Sequence, residues 1–229
     1  FCLPEYYLIE ESSPTSAGNN EWLIRQLLPE VAKEATAEGQ SIYQIMNEWV
    51  STVPPEEFVP VFLPFIMGSN VHPNAKGSFL GISANHTRKH LVRSVYEGIA
   101  CSHRYHLEKL LATRETSPEA IRLAGGAARS PVWAQMFADM MRLPVETVAA
   151  NETGSLGCAI AAAAAAGEYG GLQQAAEHMV KVLHRYEPNP DLAEIYDGKY
   201  ALYLKTIECL DGLWTDMQEM CEWPGGQPV

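Results

Sequence analysis

The residues best suited to chemistry stand in one short run, Leu123-Ala124-Gly125-Gly126-Ala127-Ala128-Arg129-Ser130-Pro131. Ile121-Arg122-Leu123-Ala124 has the character of a short strand, and it runs into two adjacent glycines and then a helix start. Ser130 is an N-cap residue type, and Pro131 follows in the first turn, where its missing N–H costs nothing. Without Cβ atoms, Gly125 and Gly126 let a ligand lie against the main chain, and the helix N-terminus offers N–H donors. The same residues also suit a plain tight turn between strand and helix, so this segment alone leaves both readings open. Other polar pairs read as structural. His86 and His90 have the i,i+4 spacing that can hold a metal on a helix, but Arg88 and Lys89 lie between them without a third ligand. They read as a capped helix start, and His103 and His106 are similar. Arg93 and Glu97 read as an ion pair on a helix face.

Alternating strands and helices must position that run. Residues 1–9 resemble a strand, and residues 12–20 are dense in turn and capping types. Trp22, Leu23, Leu27 and Val31 recur at a helical period. A second helix is expected over 41–50, stopped by Pro54-Pro55, then strands over 58–66 and 78–82. The longest helix should span 87–112, with Leu91, Val95 and Ile99 in one stripe. After the glycine pair the pattern predicts a helix to Met141, a strand over 145–149 and an alanine-rich helix over 155–166. Gly167 is placed to cap that helix, and its small side chains predict tight packing against a neighbour. Residues 172–220 read as mostly helical, broken near Pro188-Asn189-Pro190. This alternation argues for an α/β fold with helices packed on a central sheet.

Composition narrows the function classes. The chain has 229 residues, 47% of them hydrophobic, which suffices for a core of its own. Its 16 Lys and Arg against 28 Asp and Glu give a net charge of -12, which argues against nucleic acid as a partner. A nucleotide can still bind through local N–H groups. The five cysteines are scattered, without a Cys-x-x-Cys pair, and read as reduced thiols of a cytoplasmic protein. No stretch has the length and hydropathy of a membrane span. Opening on Phe1 inside an apolar stretch, the sequence reads as a segment of a longer protein.

In order along the chain, its motifs resemble those of the FGGY carbohydrate kinases, C-terminal domain. Gly125-Gly126-Ala127-x-x-Ser130 is similar to that family's adenosine motif, followed by Trp133-Ala134-Gln135-Met136-Phe137-Ala138-Asp139, Pro144-Val145 and Glu152-Thr153-Gly154-x-x-Gly157-x-Ala159. Upstream, Phe62-Leu63-Pro64-Phe65-x-x-Gly68, Pro73-x-Ala75-x-Gly77, Gly81, His86-Thr87-Arg88-x-His90-Leu91 and Glu97-Gly98 resemble its signature region. Glu11-Ser12-Ser13-Pro14-Thr15-Ser16-Ala17-Gly18-Asn19-x-Glu21-Trp22 and Gly68-Ser69-Asn70 look nearest to the xylulose kinases, particularly the L-xylulose kinase group.

The resemblance implies that residues 1–229 form the ATP-binding C-terminal lobe of a two-lobed sugar kinase with an actin-like ATPase (ribonuclease H-like) fold. A central mixed sheet with packed helices is expected. Gly125 and Gly126 would lie against ribose and α-phosphate, and Ser130 would approach the adenine while capping its helix. Ala17, Gly18, Glu21 and Trp22 would flank the nucleotide, although relatives often carry Gln in place of Glu21. Asp139 and Glu152 are expected to hydrogen-bond to backbone. The catalytic Asp, sugar pocket and first phosphate loop would lie in an N-terminal lobe and the second phosphate loop, a Gly-Thr turn, just upstream of Phe1, so no residue of this chain is assigned to catalysis or to a metal. The partners would be ATP with Mg2+, a sugar and that lobe, and a homodimer is compatible with the reading. The implied activity is phosphoryl transfer to a ketopentose, L-xylulose first. D-xylulose, ribulose and erythritol are alternatives, as is a non-catalytic actin-like module for oligomerisation or regulation.

Overall fold

A computed structural model describes residues 7–14, 16–150 and 152–221 of the chain. In chain order the elements are α1 (Gly18–Leu27), α2 (Pro29–Ala37), α3 (Ile42–Ser51), β1 (Val61–Leu63), β2 (Ser78–Leu80) and α4 (Arg88–Leu111). Then follow β3 (Ile121–Leu123), α5 (Pro131–Met141), β4 (Val145–Val148), α6 (Thr153–Ala165), α7 (Leu172–Met179), β5 (Val182–Tyr186) and α8 (Ala193–Cys221). They form two compact units, one of Phe1–Ser117 with Asp191–Val229, the other of Pro118–Pro190.

The first unit is built on α4, whose start is set by local chemistry. Thr87 and His90 form a reciprocal capping box, satisfying N–H groups that a helix start leaves orphaned. The other ring nitrogen of His90 meets Glu57 at 2.8 Å, while His86 receives the Ser83 N–H at 3.0 Å. Both histidines therefore serve the helix entry, as their spacing beside Arg88 and Lys89 suggests. The middle of α4 is buried, with Val95, Tyr96, Ile99 and Ala100 in the core.

Arg93 and Glu97 are more than a helix-face pair, because both side chains are buried. Arg93 donates to Glu97 at 2.7 Å, to the carbonyls of Val50 and Val53, and to the Tyr196 hydroxyl. Lys199 closes the network from α8, 2.8 Å from each Glu97 oxygen. Removing one partner of such a buried pair strands a charge, at a cost of about 3–5 kcal/mol.

In the second unit β3, β4 and β5 form one mixed sheet, parallel between β3 and β4 and antiparallel between β4 and β5. The mixed sheet agrees with the expected fold class. Behind it α5 buries Trp133, Met136, Phe137 and Met140, with the Trp133 and Phe137 rings stacked at 5.6 Å.

Three expectations need correction. Residues 182–186 form a strand where helix was expected, because they pair along β4. The alanine-rich α6 contains no buried residue, so its small side chains are not tightly covered within the chain. Of the expected first strand, residues 7–9 are exposed and belong to no strand, while 1–6 lie outside the described residues.

Candidate functional site

The glycine run links β3 to α5. Gly125 has φ +80°, a conformation that strains side-chain-bearing residues, so the turn itself requires glycine there. Gly126 differs. It has no left-handed φ, and a Cβ built on it would meet nothing within 4 Å. Neither conformation nor packing demands glycine at 126, which leaves close approach of a ligand as a physical reason for it.

Gly126–Arg129 form a single 3-10 turn, and Ser130 then caps α5. The Trp133 N–H donates to Ser130 Oγ at 3.2 Å, so the cap expected from sequence is made. Ser130 is only 6% exposed, which leaves little of it for any second contact.

A cleft of about 200 Å³ opens beside this turn. Its lining includes Leu123 from β3, Gly125 and Arg129 from the β3–α5 connection, Thr147 from β4, and His184 and Tyr186 from β5. The site lies where parallel β3 and β4 end, the usual place for ligands in open α/β sheets, since the chain there turns into helix N-termini.

Sequence reasoning missed Arg129, Thr147, His184 and Tyr186 as neighbours of the glycines. The register explains their meeting. Leu123 pairs Thr147 in parallel, and Thr147 pairs His184 in antiparallel. The register then shifts, with Val148 opposite Val182. That bulge skips Leu183 and lets it line the cleft beside His184, against the alternation of a regular strand.

The acidic pair near the run divides. Asp139 accepts from the Asn189 N–H and from Gln135 Nε2, both at 2.8 Å, which is the expected backbone anchoring. Burial raises its pKa, and those two donors oppose the rise. Glu152 instead pairs with Arg129 at 3.6 Å and makes no side-chain cap of α6, which corrects the expected backbone bond.

The second predicted group lies in the first unit, gathered in the opening turn of α1. Ala17 occupies the cap position, Gly18 begins the helix, and Glu21 and half-buried Trp22 follow. The Glu21 carboxylate accepts a hydrogen bond from the Tyr43 hydroxyl, so it is held by the protein. The preceding segment is tied to α4, with Ser16 Oγ 2.7 Å from His103 Nε2 and Glu11 within 3.0 Å of both His106 and Lys109. Burial, then the neighbouring His106, lowers the His103 pKa to about 4, so this histidine is neutral near pH 7.

The family suggested by the motifs and the α/β fold agree with comparison to known proteins. Residues 1–166 match the FGGY family of carbohydrate kinases, C-terminal domain. The chain belongs to that family. It is 33% identical over 213 residues to the L-xylulose/3-keto-L-gulonate kinase of Escherichia coli K12, covering 93% of this chain and 40% of that protein. The probable L-xylulose kinase of Pasteurella multocida is 34% identical over 209 residues, covering 90% and 39%. Among solved structures, the xylulose kinase of Rhodospirillum rubrum superposes with a TM-score of 0.74 at 28% identity, covering 89% of this chain and 40% of that one. The chain thus spans about 40% of the length of these relatives. Among the described residues, no helix is long and apolar enough to cross a membrane.

Proposed function

We propose that the cleft beside Gly125 and Gly126 binds the ribose and α-phosphate of ATP, with the adenine near Ser130. The observation that carries this reading is the glycine turn: Gly125 lines a cleft where parallel strands end, and its neighbour Gly126 is a glycine that the fold does not require. In this reading the protein transfers the γ-phosphoryl group of MgATP to a hydroxyl of a ketopentose, L-xylulose first. The Escherichia coli L-xylulose/3-keto-L-gulonate kinase and the probable L-xylulose kinase of Pasteurella multocida favour that sugar, while similarity to a Staphylococcus epidermidis xylulose kinase, 30% identical, keeps D-xylulose as the alternative. Ala17, Gly18, Glu21 and Trp22 belong to the proposal as residues flanking the nucleotide, on the strength of the family resemblance. The base, the sugar pocket and the β/γ-phosphate donors that phosphoryl transfer requires are assigned to an N-terminal lobe.

Gly126→Val in the full-length protein tests the platform, because a branched side chain would occupy the space next to the main chain. The apparent KM for ATP should rise by about tenfold or more while the KM for sugar stays nearly unchanged. Equal losses for both ligands in a folded protein would remove the assignment.

A further inference from the structure

Resting on the nucleotide reading of the cleft, we infer that Arg129 is a phosphate contact, its guanidinium exchanging the Glu152 carboxylate for the phosphate nearest the ribose. Arg129 ends the 3-10 turn that carries Gly126, and it is the only Lys or Arg among the described residues lining the cleft. Its planar fork of N–H donors suits a phosphate, which a lone hydroxyl or amide could not neutralise. The whole chain carries -12, so its general field opposes an anionic ligand and a local cation has to offset that field.

The Arg129–Glu152 pair is well suited to being exchanged. Arg129 Nη2 and Glu152 Oε1 are 3.6 Å apart, and the two side chains are 64% and 78% exposed. Such an open pair contributes little to stability. When Arg129 turns to a phosphate, Glu152 is not stranded. It stays solvated at the start of α6, where the helix dipole favours a negative charge. Glu152 thus acts as a placeholder for the anion, keeping the guanidinium near the cleft and competing with the ligand for it.

The test compares adenosine with ADP, each titrated into the full-length protein by calorimetry, for the unaltered protein, Arg129→Gln, Arg129→Lys and Glu152→Gln. Arg129→Gln should weaken ADP by about tenfold and leave adenosine unchanged, since only the phosphate partner is lost. Arg129→Lys should restore part of the ADP affinity, and Glu152→Gln should tighten ADP alone. If adenosine binds and ADP affinity ignores Arg129, the inference fails while the platform stands. Parallel loss of both ligands in Arg129→Gln would also overturn it, by showing that the side chain serves the nucleoside or the turn. Binding of neither ligand to the unaltered protein would remove the nucleotide reading and this inference together.

Discussion

Ser130 has one observed role, its helix cap, and one proposed role, an adenine contact, and mutations can separate the two. Its hydroxyl caps α5 by accepting the Trp133 N–H, and it stands one residue beyond the turn proposed to hold the nucleotide. Ser130→Ala should cost about 1 kcal/mol of stability, the usual value of an N-cap. It should also weaken ATP if the side chain reaches the adenine. Ser130→Asn retains a capping oxygen and should preserve both properties. Thermal melts and nucleotide titrations of the two variants check this. A loss of stability without loss of affinity in Ser130→Ala would confine Ser130 to its cap.

At the level of elements, the decisive contact is α4 against β1. Gly98 lies inside α4, where glycine ordinarily weakens a helix by about 1 kcal/mol relative to Ala. A Cβ there would come 2.3 Å from the Phe62 carbonyl oxygen and 3.0 Å from the Phe62 side chain. Backbone cannot yield as a flexible side chain does, so helix and strand would have to separate. Gly98→Ala should therefore destabilise the chain by about 2–3 kcal/mol net of its gain in helix propensity. Urea denaturation of residues 1–229 measures it, and an increase in stability would show that α4 and β1 part easily. The α6 helix makes the opposite case. Its glycines at 154 and 157 meet nothing within 4 Å of an added Cβ, so those two positions report no close packing inside the chain.

For the molecule as a whole, the division of parts makes a prediction about activity. In the proposed reading this chain supplies only a platform for a nucleoside, whereas phosphoryl transfer needs a base, sugar contacts and donors to the transferring phosphate held in one geometry. Residues 1–229 expressed alone should fold and bind adenine nucleotides weakly, with ATP and ADP alike. A coupled assay over a panel of ketopentoses and polyols should detect no sugar-dependent ADP from this chain and clear turnover from the full-length protein. Turnover by residues 1–229 would refute the two-lobe assignment, and none from the full-length protein would favour a non-catalytic role.

The sequence by itself determined the features governed by near neighbours along the chain. Thr87 and Ser130 mark helix starts, the spacing of Val95 and Ile99 marks a buried stripe, and Gly125 marks a turn that needs positive φ. The motif order was enough to give the family. Only the tertiary structure decided features in which partners distant in sequence compete. The strand at residues 182–186 owes its existence to pairing with β4, and its exposed Val182 and Leu183 carry no clear alternation to announce it. The spacing of Arg93 and Glu97 was plain, but Val50, Tyr196 and Lys199 turned that pair into a buried network. The cleft is of the same kind. Its glycines were legible because a turn is local, whereas Arg129, Thr147, His184 and Tyr186 come together only through strand register, which residue types along one segment do not encode.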